Sequence, residues 1–250
     1  MPLPDPVLPP LLAGHPVRSP TKPLAYACRQ AAKAALGAGD LVWGRATARA
    51  ELALVLEPDV PLATAVQMGA VAMLSLADAL GALCPPQVGV HMRWPDTILV
   101  NGGEAAKVVL AAPSRATDDV PPWLVVGADV RVRFEDRRRE PGDFVHLTAL
   151  VEEGAGEVTR THVIEAFARY FLKWLTTWQD EGFRPVQDQW LFRAEGREGP
   201  AEFATQSGRV RGRVLGLDAS GNLILQPTMG ALRTLSYIDH VTTADETLRR

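Results

Sequence analysis

The sequence predicts an α/β (α+β) protein, a mixed β-sheet with flanking helices followed by a small β-barrel. Three observations predict it. Short runs of apolar and β-branched residues recur through most of the chain. Two long stretches, 62–83 and 161–180, carry a helical pattern among them. From Phe203 onward the pattern changes to short strands broken by Ser207-Gly208 and Asp218-Ala219-Ser220-Gly221-Asn222, as in a small barrel. These readings divide the chain into residues 1–188 and 189–250, and no internal repeat is found.

In order, residues 1–23 hold eight of the 20 prolines. Proline lacks an N–H and fixes φ, so this segment reads as an extended arm laid over the domain, or as a partly ordered tail. Residues 24–38 are alanine-rich, with Arg29 and Lys33 four apart and Gly37 and Gly39 as stops, which predicts a helix. Strands are expected at 40–43 and 51–56, then a helix at 62–83 apolar enough to lie buried against a sheet. Further strands are expected at 90–93, 98–100, 105–112, 124–134 and 144–152. An amphipathic, aromatic-rich helix follows at 161–180, and residues 185–200 read as a loop around Trp190 and Phe192.

A chain of 250 residues, 47% hydrophobic, can hold one large domain or a domain plus a small module. A net charge of −3 and a pI near 6.0 give no pull toward nucleic acid or an anionic membrane. No run of 18 apolar residues is free of charge or proline, so no membrane-spanning helix is expected. The N-terminus lacks the basic-then-apolar pattern of a secretory signal. Cys28 and Cys84 form neither a disulfide framework nor a metal pattern, and His15, His91, His146, His162 and His240 lack ligand spacing, so no metal site is expected. A reducing, cytoplasmic location is the expectation. Arg137-Arg138-Arg139 reads as a solvated loop.

The most informative stretch is Arg93-Trp94-Pro95-Asp96-Thr97-Ile98-Leu99-Val100-Asn101-Gly102. It reads as strand, rigid corner, strand and hairpin turn, since proline restricts its neighbour and Asn-Gly favours a tight hairpin. Such a corner holds Asp96 and Thr97 beside an indole face and suits a small-molecule pocket; core packing of Trp94 is the other reading.

This segment resembles the Lys-Trp-Pro-Asn-Asp motif of the biotin protein ligases and related lipoate ligases. Residues 53–62 are similar to that family's strand leading into its central helix. Gly127-Ala128-Asp129-Val130 resembles its Gly-Ile-Asn-Val strand. Gly182-Phe183 and Trp190 resemble the junction to its C-terminal domain, and 211–218 with 221–225 its SH3-like tail. The resemblance implies a class II aminoacyl-tRNA synthetase-like fold with an SH3-like C-terminal domain. It also implies an activity: ATP, with Mg²⁺, activates biotin, lipoate or octanoate as an acyl-adenylate, and the acyl group passes to a carrier-domain lysine. Two anions meet in the first step, so fixed positive charge is needed there.

Carried over residue by residue, the resemblance places Arg45, Arg93, Trp94, Asp96, Thr97, Gly127 and Asp129 in the substrate and nucleotide site. The chain departs from the family pattern in two places. The family's Gly-Arg-Gly-Arg-Arg-Gly loop is shortened to Gly44-Arg45-Ala46-Thr47-Ala48-Arg49-Ala50-Glu51, whose arginines Arg45 and Arg49 read as phosphate contacts or as solvated turn residues. Glu104 stands where the family has its lysine. A unit charge at ~4 Å and an effective dielectric of ~20 is worth roughly 4 kcal/mol, so the exchange bears on catalysis. Lys107 is the candidate catalytic lysine. It can replace the missing one only if a bulge brings it to the face of Glu104, because strand side chains otherwise alternate; a snorkelling structural lysine is the other reading.

A cysteine acyl-enzyme, as in octanoyl transferases of this fold, would need Cys84 activated by a base such as His91; a small buried cysteine is the alternative. The family's DNA-binding repressors carry a helix-turn-helix that this chain has no room for, so DNA binding is not expected. A free sheet edge would allow a homodimer. The two functional expectations are therefore a ligase, and a binding protein for a biotinyl or lipoyl domain or a free acyl ligand that has lost adenylation.

Overall fold

The computed structural model describes residues 3–135, 146–205 and 208–248. The arm ends in β1 (Ala13–Val17), followed by α1 (Pro23–Ala31), β2 (Asp40–Gly44) and β3 (Arg49–Leu56). The short α2 (Leu62–Ala65) and α3 (Met68–Leu83) lead to the meander β4 (Val90–Arg93), β5 (Thr97–Val100), β6 (Gly103–Ala112) and β7 (Leu124–Arg131). Then come α4 (Arg160–Glu181) and α5 (Arg184–Phe192). The C-terminal part holds β8 (Ala201–Thr205), β9 (Gly208–Leu217), β10 (Leu223–Pro227) and β11 (Arg233–Leu235), then β12 (Thr242–Thr243) and α6 (Ala244–Leu248).

The main sheet runs β1-β2-β3-β7-β6-β5-β4. Its pairs are antiparallel except β1 with β2, and β12 adds to β6 in parallel. Strand alternation gives it two buried faces. Leu52 and Leu54 of β3 with Val126 and Val130 of β7 join the large core that α3 and α4 cover. Ala53 and Val55 with Val125 join a smaller core under α1. The second sheet, β11-β10-β9-β8, is antiparallel throughout.

The α2–α3 stretch is long and apolar enough, by length and composition alone, to cross a membrane, yet it is the core helix, 78% buried against sheet and α4. The arm does lie over the domain. Leu3 and Pro4 offer carbonyls to Arg160 and Thr161, and the Val7 N–H donates to Glu165, all at the start of α4.

Several expectations are corrected. Residues 185–200 are not all loop. Pro185 sits in the first turn of α5, where a missing N–H costs nothing, and Val186 and Trp190, four apart, bury one face. The strand expected at 144–152 is absent among the described residues: Leu147 makes one bridge to Glu104, and the chain then turns through Gly154 at φ 84°. Residues 144, 145 and the arginine run 137–139 lie outside the described residues. The first helix stops at Ala31 and Ala34 turns left-handed. β1 was not foreseen; its Pro16 is tolerated because the strand is an edge. The β4 edge is covered, since Met92 exchanges backbone hydrogen bonds with Arg193 and Glu195.

Candidate functional site

One row of polar residues crosses the main sheet. Arg93 lies opposite Thr97, Thr97 opposite Lys107, Lys107 opposite Asp129, and Asp129 opposite Glu51. Directly paired residues share a face, so five strands present this row together, on the side that carries α1. The row depends on one irregularity. Ile98 pairs with Ala106 and Leu99 with Glu104, so Ala105 is a bulge. Ala105 and Ala106 both enter the large core, and Glu104 and Lys107 consequently fall on the same face. The condition that the sequence set for Lys107 is thus met by a bulge at Ala105, three residues beyond Gly102.

The side chains interlock. Lys107 Nζ donates to Asp96 Oδ1 (3.0 Å) and to the Thr97 hydroxyl, which itself donates to Asp96 at 2.7 Å. Its side chain remains 49% exposed. Arg49 forks onto Asp129 at 2.8 and 2.6 Å, and that carboxylate holds the guanidinium above its usual pKa. Lys22 reaches Glu51 at 2.6 Å. Arg93 is bound by Glu195 and by Glu104, the latter at 2.7 Å. Glu104 therefore faces its own cation rather than open solvent.

Beside this row, a trough of about 300 Å³ opens between the first turn of α1 and the sheet. Pro23, Leu24, Ala25, Val109 and Gly127 make it apolar, while Lys22, Lys107, Glu51 and Asp129 supply its charge. Gly127 has a packing reason to be glycine: a Cβ there would sit 3.0 Å from Leu24 Cδ1. A neighbouring hollow shares Lys22, Glu51 and Asp129 and adds Arg49 and Arg131. The arrangement suits a short acyl chain whose carboxylate meets an ammonium.

The structure thus gathers Lys107, Gly127 and Asp129, with Asp96 and Thr97 bonded to Lys107. It places the other expected residues elsewhere. Trp94 is buried, edge-on to His240 and Tyr237 at 4.8 and 6.2 Å, and its Nε1–H points to the Gly221 carbonyl. Pro95 and Asp96 line a separate cavity of about 270 Å³ under the C-terminal segment. Arg45 packs over the Trp43 indole on the α4 side and forks onto Asp5. Arg93 ties β4 to the 195 region. Sequence reasoning missed Lys22, Glu51 and Thr247. Glu51 was within reach, two residues from Arg49 on one strand face; Lys22 and Thr247 come from distant elements.

Both cysteines are buried thiols. Burial pushes Cys28 up to about 12, and burial with Glu153 raises Cys84, so neither is poised as a thiolate nucleophile. Among the described residues no three His, Cys, Asp or Glu side chains gather to hold a metal.

Comparison with known proteins agrees with this architecture. The model of the biotin/lipoate A/B protein ligase family matches residues 8–192. A biotin–[acetyl-CoA-carboxylase] ligase of Paracoccus denitrificans is 29% identical over 177 residues, 71% of this chain and 73% of that protein. The bifunctional ligase/repressor BirA of Bacillus subtilis is 25% identical over 190 residues, 74% of this chain but only 56% of its own length. Among solved structures, a biotin protein ligase-like protein of unknown function from Silicibacter sp. TM1040 has a TM-score of 0.83 at 29% identity, covering 95% of this chain and 99% of that one. The Aquifex aeolicus biotin protein ligase in complex with biotin and ATP has a TM-score of 0.63 at 14% identity, covering 88% and 99%, a likeness of fold.

Proposed function

Because the chain belongs to the biotin/lipoate A/B protein ligase family, we propose that it activates a small carboxylic acid with ATP and passes the acyl group to a lysine of a carrier domain. The observation that carries this reading is the Ala105 bulge, which sets Lys107 on the trough face despite the glutamate at position 104. The acyl chain lies along Leu24, Val109 and Gly127, and the carboxylate approaches Lys107 and Lys22. A carboxylate oxygen attacks the α-phosphorus, and the bond to pyrophosphate breaks. The acceptor amine then attacks the acyl carbon, loses a proton and releases AMP. Lys107 stabilises the charge where carboxylate and phosphate meet. Mg²⁺ enters on the nucleotide phosphates, and no step is assigned to a protein-held ion. The relatives favour biotin among the acids; lipoate and octanoate are the competitors to test.

A second reading has a specific observation behind it. Glu104 engages Arg93 and Asp5 engages Arg45, so two cations are already matched by internal carboxylates. In that reading the trough binds an acid without adenylating it.

Thermal shift separates the two. Biotin, lipoate and octanoate are each tested with and without Mg-ATP, since a ligand of the native state raises its stability. A shift requiring both acid and ATP, with pyrophosphate release, supports the ligase; a shift with acid alone supports the binder; silence throughout ends both. In Lys107→Ala, pyrophosphate release is expected to fall about 100-fold or more, as when a preorganised charge is lost. Unchanged turnover removes Lys107 from the reaction.

A further inference from the structure

Arg160, the first residue of α4, is 2% exposed. Its Nε and Nη1 have no hydrogen-bond partner, and its Nη2 makes one 3.3 Å bond, to the Leu3 carbonyl of the arm. A guanidinium carries five N–H donors, and leaving a buried charge so poorly matched is costly. Its guanidinium rests on the Trp43 indole at 4.9 Å, and Arg45 rests on the same ring at 5.0 Å. Burial and Arg45 both push Arg160 below its usual pKa, and only Asp5 opposes them. The helix start adds N–H groups without intrahelical acceptors and a partial positive charge. There the Thr159 side chain accepts from the His162 N–H, while Asp5 is the carboxylate that acts on both guanidiniums, by a fork onto Arg45 and through space on Arg160. It fills the Arg45 fork at 2.8 and 3.0 Å and leaves the Arg160 donors empty.

We propose that Arg160, Arg45 and the first turn of α4 form a phosphate-binding site that the N-terminal arm occupies in cis through Asp5. A phosphate group supplies what Asp5 does not: a second negative charge and enough oxygens to serve both guanidiniums at once. The first residues of the arm can leave while Leu8 and Leu12, packed on the large core, stay in place. Leu3, Pro4 and Val7 are held at α4 and Asp5 at Arg45 by polar contacts, and Val7 is 79% exposed. The site lies on the α4 side of the sheet, away from the Lys107 trough, and does not depend on the proposed ligase activity.

The full chain, labelled with ¹⁵N, is titrated with inorganic phosphate and, in parallel, with AMP, chloride balancing the ionic strength. Binding should shift the Trp43 indole N–H signal and speed hydrogen exchange at the Val7 amide as it leaves Glu165. Asp5→Asn should tighten phosphate binding about tenfold by removing the competing charge-assisted fork. Adding Arg45→Gln, a partly exposed position that spares the core, should abolish that gain. Affinities are read at the Trp43 signal, and Lys107→Ala should leave the phosphate affinity read there unchanged. In that Lys107→Ala chain, where loss of the trough lysine separates the two sites, AMP binding tighter than phosphate at Trp43 assigns the group to a nucleotide; equal or weaker binding assigns it to free phosphate. The proposal is overturned if Asp5→Asn binds no tighter than the parent, if the Trp43 signal saturates with no change at Val7, or if binding survives Arg45→Gln and disappears in Lys107→Ala.

Discussion

Lys107 and Glu104 show how much one backbone irregularity decides. By counting alone, the two residues point to opposite faces of β6; the extra residue at Ala105 puts them on one. Their neighbours then separate their roles: Glu104 is drawn to Arg93, Lys107 to Asp96 and Thr97. Cys28 allows a prediction at the same scale. Its thiol is raised from 9.0 to about 12 by burial between α1, which carries it, and the sheet, so the fold keeps a proton that the unfolded chain gives up sooner. That contribution is complete below pH 9 and is lost as pH rises toward 12, by about 1.4 kcal/mol per pH unit. Urea unfolding across that range should show a shallower decline in Cys28→Ala than in the parent. The slope that remains belongs in part to Tyr237, which burial also raises. Equal slopes would mean that Cys28 titrates normally.

Elements were legible where periodicity was long and regular. The α3 and α4 helices and the strands β2 to β7 lie close to where alternation and helical spacing put them. The α5 helix was missed because Pro185 and the short span 184–192 read as loop, although proline is favoured in a first helical turn. What makes it a helix is burial of Val186 and Trp190 against α3 and α4. Trp190→Ala should therefore cost about 3–5 kcal/mol of unfolding free energy, the range for a buried large aromatic. A loss under 1 kcal/mol in urea unfolding would mean that α5 is only peripheral. The span 146–152 failed in the other direction. Its apolar residues Leu147, Ala149 and Leu150 are consistent with a strand, but beyond the single Leu147 bridge the chain is irregular and enters a turn at Leu150.

At the scale of the whole molecule, the C-terminal segment returns to the first sheet instead of staying with the second. β12 pairs with β6, α6 brings Thr247 to the trough, and Tyr237 presses on Gly69 of α3. A Cβ at Gly69 would lie 1.9 Å from the Tyr237 hydroxyl. Gly69→Ala, which would gain up to about 1 kcal/mol in a free helix, should here expel Tyr237 and loosen residues 237–248, read as faster hydrogen exchange across that segment. Unchanged exchange would show that Tyr237 moves aside freely. The sequence by itself determined the layered α/β class, the core strands and the Trp-Pro corner, because these rest on local periodicity and turn chemistry, and its motifs carried the family resemblance. Only the tertiary structure decided which motif residues meet: it packed Trp94 into the core, sent Arg45 to Asp5 and brought Lys22 and Thr247 to the Lys107 face. Those outcomes depend on strand register, on one bulge and on the docking of two chain ends, and no local pattern encodes them.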